Sequence, residues 1–174
     1  MGEVLWHVTM SVDGFIAGPD DDMDWVFEQP RPQADDDVVQ RVGAVLSGRR
    51  SYDVGQRDAG KANAEVFEGA WSGPEFVLTT HPPAGDPSRT FLSGDVRDAV
   101  ATALAAADGR DLLVIGADVA LQCVEAALVD ELLVNVAPLL LGDGVRLYGG
   151  PGRERVDLEL LDATGTLLRY RLVR

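Results

Sequence analysis

Apolar and polar positions alternate along the chain in short blocks. Val4–Val12 reads as a first strand, stopped by the turn dipeptide Asp13-Gly14. A short amphipathic helix is predicted after Ala34, with Val38, Val39 and Val42 on one face. Ala44–Ser47 then forms a buried strand entering Gly48-Arg-Arg-Ser51. Phe76–Thr79 is another short apolar strand, stopped by Thr80-His81-Pro82-Pro83, and Phe91-Leu92 is one more. The clearest helix starts at Asp95 as N-cap, carries the stripe Val96, Val100, Ala103, Leu104 and Ala107, and stops at Gly109. Leu112–Ile115 is a fully apolar strand that turns at Gly116-Ala117 into a helix over Asp118–Ala127. The strand Glu131–Ala137 follows it. Val156–Leu161 and Leu167–Val173, around Asp162–Thr166, predict a terminal hairpin. Two stretches, Pro19–Pro32 and Gly55–Gly73, read as long surface loops within one domain spanning residues 1–174. Strands alternating with helices and closed by a hairpin predict an α/β fold. Its central sheet is mostly parallel, with helices flanking it and an antiparallel C-terminal edge.

Composition narrows the function classes. Fifteen Lys and Arg against 29 Asp and Glu leave a formal net charge of −14, which disfavours nucleic acid and anionic membrane as partners. A small anionic ligand stays compatible, because a local arginine cluster overrides the global field. One cysteine, Cys123, provides neither a disulfide framework nor a zinc site built on cysteine pairs. The Asp20–Asp24 and Asp35–Asp37 clusters lack the spacing of a calcium loop, and no metal is expected. Secretory, transmembrane and myristoylation signals are missing, so a cytoplasmic protein is the simplest expectation.

Candidate chemistry gathers where apolar strands run into small, polar or basic turns. These are Ser47-Gly-Arg-Arg-Ser-Tyr52, Thr79-Thr-His81 and Gly116-Ala-Asp-Val119. In an open parallel sheet the carboxyl ends of neighbouring strands face one crevice, where ligands bind. Gly48 and Gly116 let backbone N–H groups approach oxygen-rich groups, and Arg49, Arg50, Thr80 and His81 add charge and donors. Together the turns suggest a nucleotide-phosphate cradle, without a Walker loop or a Gly-x-Gly-x-x-Gly motif. Each turn also has a plain structural reading: the glycines as tight strand-to-helix turns, the arginines as a solvated pair, and His81 as an exposed turn residue. His7 on a strand reads as structural, and Cys123 as a buried inert thiol.

The order of Val8-Thr-Met-Ser-Val-Asp-Gly-Phe-Ile-Ala-Gly18, Gly48-Arg-Arg-Ser-Tyr52, Phe76-Val-Leu-Thr79, Val129-Asp-Glu-Leu132 and Pro138-Leu-Leu-Leu-Gly142 resembles the dihydrofolate reductase superfamily. The chain is most similar to the branch of the reductase domain of the bifunctional riboflavin-biosynthesis deaminase–reductase. The resemblance implies a dihydrofolate reductase-like fold with NADPH across the carboxyl ends of the sheet. Gly48, Arg49, Arg50 and Ser51 would hold cofactor phosphates, and Thr79, Thr80 and His81 would border the adenosine end. Gly116, Ala117, Asp118 and Val119 would wrap the pyrophosphate, with Gln122 one turn later. Ile16 and Ala17 would sit in a mobile loop over the nicotinamide, with Met23 and Trp25 further along it. The chain departs from the family pattern in having Gly116-Ala117 where a double glycine is usual. Glu28 and Asp35 are the nearest candidates for the pterin-anchoring acid of folate reductases. A deaminase half would need zinc-binding cysteines, so the chain reads as a stand-alone reductase domain.

The implied reaction is hydride transfer from NADPH to a C=N or C=O carbon of a small polar substrate, pterin-, pyrimidine- or sugar-like. Asp13 is a candidate proton donor, direct or through water, and Asp35 is a second; Asp13 alternatively caps its turn. Thr9 and Ser11, two apart on one strand face, are candidate substrate contacts, as is Trp25. The leucine-rich C-terminal hairpin has enough apolar surface for either an inner sheet face or a subunit contact, and the resemblance, whose reductase domains are often dimers, implies a homodimer. The alternative is a nucleotide-binding or regulatory module of the same fold without turnover.

Overall fold

The computed structural model describes residues 2–29, 35–61, 65–84 and 86–173, with the side chains of residues 35 and 36 also outside the described set. Ten strands and five α-helices follow one another among these residues. The order is β1 (Val4–Ser11), β2 (Phe15–Ala17), α1 (Asp24–Phe27), α2 (Asp35–Arg41), β3 (Val42–Gly48), α3 (Arg49–Arg57), β4 (Glu75–Leu78), β5 (Thr90–Leu92) and α4 (Val96–Ala106). It continues with β6 (Asp111–Ile115), α5 (Ala117–Glu125), β7 (Glu131–Ala137), β8 (Val145–Arg146), β9 (Asp157–Thr164) and β10 (Leu167–Val173). An eight-stranded sheet runs β5-β4-β3-β6-β1-β7-β10-β9. Its pairings are parallel from β5 through β7, and antiparallel at β7–β10 and β10–β9. The mostly parallel sheet with an antiparallel C-terminal edge is the one expected from the order of elements. No helix among the described residues is long and apolar enough to cross a membrane.

The two faces of the sheet are filled differently, and the difference creates the site. On one face Trp6, Leu46, Leu112, Val114 and Leu132 pack against Val96, Val100 and Ala103 of α4 and Val119, Ala120 and Cys123 of α5. The Asp95 carboxylate caps α4 by accepting from Arg97 N at 2.7 Å, as the sequence predicts. On the other face a smaller cluster of Leu5, Val42, Val45, Leu113, Leu133 and Leu167 is covered by Val38, Val66, Phe67 and Trp71. There the strands turn polar toward their carboxyl ends, at His7, Thr9, Ser47 and Asn135, and the packing stops. The opposite, amino ends of the strands are tied together by ion pairs. Arg41 reaches Glu3, Asp111 and Glu131, and Arg169 makes a bidentate pair with Glu131 at 2.8 and 2.9 Å.

Several boundaries differ from the sequence reading. β1 ends at Ser11, and Val12 is exposed beyond it. Phe15–Ala17 pairs antiparallel with Val145–Arg146 as a small second sheet, which strands of two and three residues are too short to announce by periodicity. α2 closes at Arg41, so Val42 belongs to β3 and not to the helical stripe. α3 runs through Gly55 to Arg57, shortening the predicted second loop. Val66–Gly69 inside that loop forms a 3-10 turn. α5 begins at Ala117, one residue early, and β9 extends to Thr164, leaving Gly165-Thr166 as the hairpin turn.

Candidate functional site

Because β4, β3 and β6 are neighbours, their carboxyl ends bring Thr79, Gly48 and Gly116 side by side. The helices α3 and α5 start there, and neither receives a side-chain cap from the glycine that precedes it. Their first-turn N–H groups therefore face the crevice without a side-chain acceptor, an arrangement that favours an anion. Gly116 sits at φ +92°, and a Cβ there would overlap the Ser51 hydroxyl. Its lack of a side chain is what lets the start of α3 lie against the start of α5. At Gly48 an added Cβ would meet Val119 Cγ2 at 3.1 Å, so the two helix starts abut at this point as well.

Arginines surround this end. Arg49 Nε donates to Asp53 at 2.8 Å, and its Nη1 donates to the His81 carbonyl. Arg50 pairs with Asp21 of the segment that follows β2, and that hydrogen bond raises its already high pKa. The Tyr52 ring has the Arg49 guanidinium at 5.9 Å and the Arg89 guanidinium at 5.8 Å from its centroid. Tyr52 donates to Asp86 at 3.0 Å, and desolvation pushes its phenol above the usual range. Thr79 and Thr80 complete the wall. His81 is exposed and lies outside the cavity lining, where its carbonyl anchors Arg49 and its ring meets Thr80 Oγ1 at 2.8 Å.

The crevice continues over β6, β1 and β7 as a cavity of about 860 Å³. His7, Thr9, Leu113, Ile115, Ser47 and Asn135 line its sheet side. Ile16, Ala17, Met23, Val26 and Phe27 close it from the segment after β1, and Ala117, Asp118, Val119 and Gln122 from α5. The His7 ring stacks on Phe67 at 5.9 Å and 28°. Asn135 is 5% exposed and accepts from Thr166 Oγ1 at 2.7 Å. Thr9 and Asn135 are register partners in the parallel pair β1–β7.

Some residues singled out from the sequence do not reach the cavity. Ser11 is fully buried; its hydroxyl donates to Asp13 at 2.7 Å and accepts from Phe15 N at 3.0 Å, so it is a turn residue and not a substrate contact. Asp13 also accepts from Leu141 N at 3.0 Å and Gly142 N at 2.7 Å. These hydrogen bonds, that from Ser11 foremost, hold its pKa at about 2. It lies outside the cavity lining and clamps the β1–β2 turn to the loop after β7. Trp25 is buried with its indole N–H on the Asp22 carbonyl at 3.2 Å; Met23 and Val26 on either side of it face the cavity instead. The side chain of Asp35 lies outside the described residues. His7, Asn135, Phe67 and Arg89 were not among the site residues read from the sequence. His7 could have been found by its parity with Thr9, and Asn135 as the one polar residue of Leu132–Ala137. Phe67 and Arg89 come from irregular segments and gave no local signal.

The same architecture recurs in known proteins. The uncharacterized protein YyaP of Bacillus subtilis (strain 168) is 24% identical over 165 residues, covering 91% of this chain and 86% of that protein. A crystal structure of a putative riboflavin biosynthesis protein from Shewanella sp. PV-4 aligns over 99% of both chains, with a TM-score of 0.78 and 24% identity. Dihydrofolate reductase from Enterococcus faecalis, solved in complex with NADP(H) and RAB-propyl, aligns over 98% of this chain and 96% of its own, with a TM-score of 0.58 and 13% identity. The fold is thus dihydrofolate reductase-like. The model of the RibD C-terminal domain matches residues 3–167, from just before β1 to the start of β10, and the chain belongs to that family.

Proposed function

We propose that the protein is an NADPH-dependent reductase that delivers a hydride to a C=N or C=O carbon of a small polar substrate. The observation that carries this reading is the meeting of two helix starts at Gly116 and Ser51, without side-chain caps, beside Arg49, Arg50 and Arg89. The residues fit a dinucleotide: Gly48–Ser51 and Gly116–Val119 would hold its phosphates, Arg49, Arg50 and Arg89 favour a 2′-phosphate, and Thr79 and Thr80 border the adenosine. A bound dihydronicotinamide supplies the hydride. Ile16 and Ala17, buried residues of β2 in the small β2–β8 sheet, exclude water from the reacting end. Thr9 and Asn135 orient the substrate. His7, whose imidazole lies on the cavity floor, relays a proton to the substrate heteroatom, in place of Asp13, which lies outside the lining. The edge strand β9 exposes Leu158 and Leu160 on one face, and a second copy of the chain covers them in a homodimer.

The test is a titration with NADPH and NADH. NADPH at a hundredfold excess over Kd should stabilise the protein by about 2.7 kcal/mol, a rise in Tm of roughly 5–10 °C, with NADH giving less. Arg49→Ala with Arg50→Ala should remove the preference for NADPH. Unchanged NADPH affinity in that double variant would overturn the phosphate assignment. Binding without oxidation of the coenzyme by any carbonyl or imine tested would leave a nucleotide-binding module. Leu160→Glu should lower the mass measured by light scattering if the leucine face joins two copies.

A further inference from the structure

We infer that the end of the cavity over β1 and β7 takes an uncharged or cationic substrate, not a phosphorylated one, and that the side-chain amide of Asn135 reads its carbonyl oxygen. The inference rests on the coenzyme reading only in giving the arginine-rich end to the coenzyme.

Asn135 is buried, its Oδ1 is held by Thr166, and its Nδ2 has no acceptor among the described residues while the side chain lines the cavity. A buried donor without an acceptor is destabilising, so the site is completed by a ligand oxygen or ring nitrogen. The charge along the cavity points to the rest of that ligand. The lysine and arginine side chains that line it, among the described residues, are Arg49, Arg50 and Arg89, all at the end over β3 and β4. At the other end the 3-10 turn Val66–Gly69 folds over β1, its Phe67 ring stacked on His7, and brings Glu65 and Glu68 to the rim. Phe67 and Glu68 both adopt left-handed backbone, with φ of 49° and 54°. Two consecutive non-glycine residues in that region are kept only where the surrounding packing demands them. A phosphate dianion in this end would face two carboxylates, whereas a neutral heterocycle or an amine would not.

The measurement is calorimetric binding of matched pairs, uridine against uridine 5′-phosphate and cytidine against cytidine 5′-phosphate, to protein saturated with NADP+ so that the arginine-rich end is filled. The nucleoside of each pair should bind about tenfold or more tightly than its phosphate. Glu65→Lys with Glu68→Lys, on an exposed turn, should reverse that order without changing NADP+ affinity. Asn135→Leu should weaken nucleoside binding tenfold or more and leave NADP+ affinity within twofold. A phosphorylated member that binds as well as its nucleoside overturns the inference, as does failure of both nucleosides to bind up to their solubility. The NADP+ titration that precedes these steps judges the coenzyme reading separately. Should it fail while an Asn135-dependent preference for nucleosides persists, the inference stands and the coenzyme reading falls.

Discussion

Replacing Gly116 with Ala perturbs the cradle at the point where α3 and α5 meet. At φ +92° and ψ 144° the backbone lies in a region that L-residues other than glycine enter at about 1–3 kcal/mol. The new Cβ also overlaps Ser51 Oγ, so that the hydroxyl must leave its rotamer at about 0.5–1.5 kcal/mol. Lower entropy of the unfolded chain returns about 0.4–1 kcal/mol. The net loss is about 2 kcal/mol, or a fall in Tm of roughly 4–8 °C for a chain of this size. Thermal and urea unfolding, followed by far-UV circular dichroism, measure it. Adding Ser51→Ala removes the overlapping hydroxyl but not the backbone strain, so the double variant should regain about 1 kcal/mol of the loss. NADPH affinity should fall in Gly116→Ala, because accommodating the methyl group pushes the helix starts apart. An unchanged Tm, or a double variant no better than the sum of the singles, would refute the argument that this glycine sets the approach of the two helices.

Other perturbations probe other parts of the molecule. Asp13 has its pKa lowered from 3.8 to about 2, so its hydrogen bonds stabilise the fold above about pH 4, and that contribution is lost as pH falls toward 2. Asp13→Asn should flatten the acid limb of a Tm–pH profile and make the loop after β7 more easily cleaved by protease. Burial pushes the Cys123 thiol from 9.0 to about 12, so the folded protein should resist thiol reagents, labelling only as fast as it unfolds. Since the unfolded thiol ionises first, stability should drop above pH 9, by up to about 1.4 kcal/mol per pH unit, and Cys123→Ala should remove that drop. Asp21→Asn frees Arg50 from an exposed pair worth about 0–1 kcal/mol, so NADPH affinity at low salt should rise up to about fivefold. A fluorescence titration showing unchanged or weaker binding would mean that Arg50 does not exchange Asp21 for the ligand.

Much of this molecule is legible in its chain. Alternation along Val4–Ser11, the apolar run Leu112–Ile115, the capped stripe from Asp95 and the strand Glu131–Ala137 define elements through contacts within a few residues, and so do the turns at Gly48 and Gly116. The face that carries Thr9 follows from period two alone, because successive strand residues point to opposite sides. That Thr79, Gly48 and Gly116 adjoin depends on sheet order, which the sequence reading assumed and pairing between distant strands decides. The roles of Asp13 and Arg89 could not be read locally. Asp13 is a clamp because Leu141 and Gly142 bring N–H groups to it across the chain, and Arg89, which precedes β5, joins Arg49 on the Tyr52 ring because β5 pairs with β4 and β4 with β3. Periodicity records which side of an element avoids water. Which polar group meets which is settled by long-range packing, whose contacts leave no pattern in neighbouring residues.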